Sequence, residues 1–132
     1  MPFPVDSVFI DRAVEKLGIR LPLSYIACMQ RSNGGEVEAT DDVWQLYPIF
    51  DDSDKTRIKR TCNDIVRETK LAREWRDFPP NGVAIADNGS GDKLAFVPND
   101  SADRLAEVVY RWDHETGELT AIADNFSELA RG

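Results

Sequence analysis

From Gly82 to Asn125, short apolar segments alternate with turns. Val83, Ala84, Ile85 and Ala86 are followed by the polar run Asp87, Asn88, Gly89, Ser90, Gly91, Asp92, and then by Leu94, Ala95, Phe96 and Val97. That pattern predicts a hairpin. A third segment, Val108 to Trp112, meets a fourth, Leu119 to Ala123, across Asp113, His114, Glu115, Thr116, Gly117 and Glu118, which predicts a second hairpin. In the third segment Val108, Tyr110 and Trp112 fall on one side of a pleated strand and Val109 and Arg111 on the other, so one face is read as apolar. Four antiparallel strands follow, with everything before Gly82 covering their apolar face.

Before Gly82 the period changes from two to 3.6. Ile10, Ala13, Val14 and Leu17 form one stripe of a first helix, with Asp6 or Ser7 at its start and Gly18 placed to end it in a left-handed conformation. Pro22 opens a second helix, in which Tyr25, Ile26 and Met29 are the inward positions and Asn33, Gly34 and Gly35 the stop. Glu36 to Asp42 reads as a polar loop, and Val43 to Phe50 as a strand or extended cover. Asp51, Asp52, Ser53 and Asp54 make an acidic turn able to start a helix. Asn63 is a further possible cap, before a stripe of Ile65, Val66, Thr69 and Ala72. Phe78, Pro79 and Pro80 hand the chain to the sheet. Asp100 to Glu107 is a polar connection, and Asp124 or Asn125 caps a last short helix with Phe126, Leu129 and Ala130 as its apolar positions. The sum is an α+β fold, helices packed on one face of an antiparallel sheet of four to six strands, in one domain over residues 1–132.

Composition narrows the partners. A formal charge of -8 with a single His argues against nucleic-acid binding, which needs clustered Lys and Arg, and favours a basic partner; acidity that only keeps the chain dispersed is the plainer alternative. No stretch is long enough to span a bilayer, and the start of the chain lacks the charged and apolar regions of a signal peptide. Cys28 and Cys62, without a Cys-x-x-Cys spacing, are expected to be buried thiols in the cytoplasm.

Candidate chemistry is sparse. The Asp87–Asp92 run places Gly89 and Gly91 where a calcium loop needs its third and fifth ligands, and Lys93 leads into a strand rather than a phosphate-binding helix. It reads as a turn. His114 has no nucleophile in a recognised motif beside it and is expected to be an exposed turn histidine. One His and no paired cysteines make a transition-metal site improbable, and no cofactor is expected. Trp44, Trp75, Trp112, Tyr25, Tyr47 and Tyr110 are mainly core candidates, but any found exposed beside acidic residues would mark a binding surface.

Several segments, in order, resemble a known family: Leu21, Pro22 and Tyr25 before Asn33–Gly34–Gly35; Leu46–Tyr47–Pro48–Ile49; Ile85 through Asp92; Val109, Tyr110, Trp112, Asp113 and His114; and Ile122, Ala123, Asp124 and Phe126. Together they resemble the SUKH superfamily, the group that includes the Smi/Knr cell-wall-assembly regulators. The resemblance implies helices packed on an antiparallel sheet and adds no catalytic residue. It also implies a protein-binding role: bacterial members are mostly immunity proteins that neutralise a toxin, often a nuclease or deaminase, while fungal members are regulatory hubs. The expectation is therefore a cytoplasmic, non-catalytic module that occludes a basic cognate toxin. Its expected contacts are Asp51, Asp52 and Asp54 before the central helix, and Asp113, Glu115 and Glu118 around the second hairpin turn. A Smi/Knr-type regulatory scaffold without a toxin is the alternative. A hydrolase using Asp87, Asp92 or His114 is the catalytic one.

Overall fold

The computed structural model describes residues 2–131. Helix α1 (Ser7–Leu17) starts where the Asp6 carboxylate accepts the Val8 amide hydrogen and ends at Gly18, whose φ of 76° lets its N–H return to the Val14 carbonyl. Its buried residues include Ile10 and Ala13. Helix α2 (Leu23–Arg31) buries Tyr25 and Met29. Pro22 has no side chain to cap it, and the missing acceptor comes from far along the chain. Glu107 accepts from the backbone N–H of Leu23 (2.8 Å) and Ser24 (3.3 Å) and from the Ser24 hydroxyl (2.6 Å). A carboxylate there also offsets the positive end of the helix.

Seven strands form one antiparallel sheet: β1 (Gly35–Ala39), β2 (Asp42–Leu46), β3 (Val83–Asp87), β4 (Lys93–Phe96), β5 (Val109–Trp112), β6 (Leu119–Ala123) and β7 (Ala130–Arg131), in the order β6-β5-β4-β3-β2-β1-β7. Both expected hairpins are present, β3–β4 and β5–β6. The strand count exceeds four to six because two neighbouring strands at one end of the sheet, β1 and β7, were not expected. The supposed polar loop at Glu36 is β1, where Val37 is fully buried between exposed Glu36 and Glu38. Its turn to β2 uses Thr40 (φ 56°) and Asp41 (φ 60°) in left-handed conformations, without the glycine that usually announces such a turn. Ala130, expected in a helix, lies in β7, because the final helix is only the 3₁₀ turn Phe126–Glu128, capped by Asn125.

Helices α3 (Lys55–Thr61) and α4 (Ile65–Ala72) are capped by Asp54 and Asp64, the latter one residue beyond the expected Asn63. Helix α4 lies against β3, and Thr69 substitutes for a neighbouring strand there. Its hydroxyl accepts from the Ala84 N–H (3.0 Å) and donates to the Ala84 carbonyl (3.4 Å), satisfying both backbone groups in a buried position. On the α2 side, Tyr25 packs edge-on against Phe96 (5.4 Å) and Phe126 (5.0 Å). The other face is not bare. Trp112 pairs in register with Lys93 and so stands on the side opposite Leu94 and Phe96, yet it is as fully buried as Val109 on the alternate side. The single apolar face read from residues 108–112 is corrected accordingly: the loop after α4 covers Trp112. Cys62 is also a correction, since it sits exposed at the end of α3; Cys28 is half-buried. No helix among the described residues is long and apolar enough to cross a membrane.

Candidate partner-binding surface

The loop following α4 and the β5–β6 turn meet over Trp112. The indole N–H of Trp112 donates to the Asp77 carbonyl (3.0 Å), and Phe78 lies edge-on to its ring (5.3 Å). Arg73 closes the loop by donating from Nε (3.2 Å) and Nη2 (3.0 Å) to the Gly82 carbonyl. Trp75 then packs edge-on against both Trp112 and His114, at 6.1 Å from each ring centre. It remains 51% exposed. A large ring held on two sides and open on the third is unusual for a side chain serving the core alone.

The turn beside it is tightly tied. Asp113 Oδ1 accepts from the backbone N–H of Glu115 (2.8 Å) and Thr116 (3.3 Å), while the Gly117 N–H reaches the Asp113 carbonyl (2.7 Å). Gly117 has φ 75°, and a Cβ there would come within 2.5 Å of the Asp77 Cβ, so only glycine permits the loop and the turn to touch. Beneath the turn, buried Asp92 gathers three donors. Arg111 Nη2 approaches Oδ2 at 2.7 Å; the His114 backbone N–H (3.2 Å) and Nδ1 (2.6 Å) approach Oδ1. Burial alone would raise the Asp92 pKa, but the hydrogen bonds from Arg111 and His114 outweigh it and bring it down to about 2. His114 is thus not the exposed turn residue expected. Its side chain is 23% exposed, clamped between Asp92 and Trp75.

Asp92, Asp113 and His114 can each offer a ligand atom within 4.8 Å of the others. Both Asp92 oxygens are already engaged, and Arg111 supplies a positive charge at the same carboxylate. The cluster is arranged as an ion-pair clamp that fixes the turn rather than as an open cation seat. Tyr47 makes a second polar junction, donating to Asp87 (2.6 Å) and accepting from Lys93 (2.7 Å). Burial, and then the Asp87 carboxylate, push its phenol well above the ordinary range.

The six acids expected at a partner surface fall into two groups. Asp51 is 3% exposed, accepts from the Ser53 N–H (3.0 Å) and lies 3.6 Å from Arg57. Asp52 pairs with Arg12 (3.2 Å), and Asp54 caps α3 while pairing with Arg57. Their charge is largely met within the fold. Around the second turn, Glu115, with 80% of its side chain open and 3.9 Å from His114, and Glu118 are exposed, while Asp113 is half-buried. Among the described residues no hydrogen bond or ion pair joins the two groups. Asp92 and Arg111 were not singled out as a pair from sequence, since nineteen positions separate them; the one local signal was an arginine inside an otherwise apolar strand.

The architecture and this corner define an α+β protein with a half-exposed tryptophan packed against a turn that carries exposed acids. The chain belongs to the SMI1 / KNR4 family (SUKH-1), whose model matches residues 4–132. No curated protein and no solved structure matches it.

Proposed function

We propose that this chain is a non-catalytic module that binds a basic protein at the Trp75 corner, and that the partner is a toxin domain of nuclease or deaminase type, neutralised by occlusion. The observation that carries the reading is the half-exposed Trp75, packed edge-on against Trp112 and against His114 of the turn that also bears the exposed Glu115 and Glu118. A pre-ordered indole loses little conformational freedom on binding, and such residues supply much of the affinity of protein interfaces. The exposed acids of the β5–β6 turn and the net charge of -8 speed the approach of a basic partner and disfavour acidic ones. Family membership supports a protein-binding role and is equally compatible with a regulatory hub.

The test is co-expression with the toxin-like products of neighbouring genes. Rescue of growth from one of them, together with a stable purified complex, is expected. Several weak partners and no rescue would favour a regulatory scaffold, and would end the immunity reading.

A further inference from the structure

The sheet has two edges, and they are treated differently. At one, the two-residue β7 covers β1, and Arg131 is tied down by donating to the Ser32 (3.0 Å) and Gly34 (2.8 Å) carbonyls. At the other, β6 bonds, among the described residues, only to β5. Its five residues, Leu119, Thr120, Ala121, Ile122 and Ala123, include no charge and no proline. Among the described residues, no other backbone segment bonds to the outward-facing groups of this strand. An edge left open in this way is a template for another strand.

Its ends carry a selective feature. Glu118 precedes the strand and Asp124 follows it; both are exposed, and Glu128 accepts the Asp124 N–H (3.1 Å). A second copy pairing antiparallel about Ala121 would set Glu118 against Asp124 of the partner at both ends, placing like charges together. We propose that β6 is the docking edge for an extended segment of the partner, one with an apolar centre flanked by Lys or Arg, and that the flanking acids keep copies of this chain from pairing with one another. The proposal rests on the protein-binding reading and specifies its mode, strand addition. The edge adjoins the Trp75 corner, because the β5–β6 turn that holds His114 leads directly into it.

The probe is the chain itself carrying Glu118→Lys and Asp124→Lys, which presents the same edge with basic flanks. Mixed with the unmodified chain, it should form a one-to-one dimer by sedimentation, at least about tenfold tighter than either alone. Amide hydrogen exchange should slow at residues 119–123 only in the mixture. The single variant Glu118→Lys should self-associate, since each of its ends then meets an opposite charge. Association no stronger in the mixture, slowing elsewhere, or pairing of the unmodified chain through β6 would overturn the proposal. Partner capture lost with Trp75→Ala but unchanged by the double charge reversal would remove strand addition and leave the corner reading standing.

Discussion

Asp92→Asn tests the clamp that sets the shape of the β5–β6 turn. In the folded chain the carboxyl titrates at about 2, against 3.8 for the same group free of its surroundings. At roughly 1.4 kcal/mol for each pH unit of difference, the ionised form contributes at most about 2.5 kcal/mol to stability. Arg111 faces solvent on one side, with 39% of its side chain exposed, so salt trims this value. The pKa is lowered on folding, so the contribution is present above the unfolded value and disappears as pH falls from about 4 towards 2. An amide at this position keeps the shape but not the charge, much as protonation does. Urea unfolding of both chains should therefore show a gap of about 2 kcal/mol at pH 7, closing as the pH approaches 2. A gap that is absent at pH 7, or that persists unchanged into acid, would refute the reasoning.

Other parts of the fold make equally definite demands. Thr69→Val leaves the Ala84 N–H and carbonyl buried and unpaired, and should cost about 2–3 kcal/mol in a denaturant titration. Tyr25→Phe should be neutral or stabilising by up to about 1 kcal/mol, because the Tyr25 hydroxyl is buried without a partner among the described residues; a loss above that would mean the hydroxyl is satisfied. Replacing Thr40–Asp41 by Asn–Gly should raise the unfolding midpoint by relieving two left-handed residues, worth about 1 kcal/mol. Gly117→Ala should disturb the contact with Asp77 and lower both stability and partner affinity, read by thermal melting and by titration.

The central hairpins were legible because their segments are apolar, bounded by glycine and aspartate, and of strand length. The helices were legible for the same kind of reason, as the stripes Ile10–Ala13 and Ile65–Thr69–Ala72 point inward where the period placed them. Strand β1 was not, since Glu36 and Glu38 outnumber its one buried residue and its turn uses Thr40 and Asp41 in place of Asn–Gly. The capping of α2 by Glu107 was beyond reach as well, because a contact across 84 positions leaves no local trace. The candidate surface was half legible. Glu115 and Glu118 were named in advance, but which tryptophan would stay exposed depended on the loop after α4 burying Trp112 and leaving Trp75 outside. At the first acidic turn the helix start was legible, since Asp54 caps α3, but not that Arg12 and Arg57 fold back to meet its carboxylates.

The most direct measurement is a calorimetric titration of the captured partner with the unmodified chain, Trp75→Ala and Glu115→Gln/Glu118→Gln, alongside unfolding curves for each. Trp75 anchors binding in this account, so its truncation should weaken affinity by at least about tenfold with little change in stability, while loss of the two acids should slow association and flatten its salt dependence. Full affinity in the Trp75→Ala chain would contradict the account.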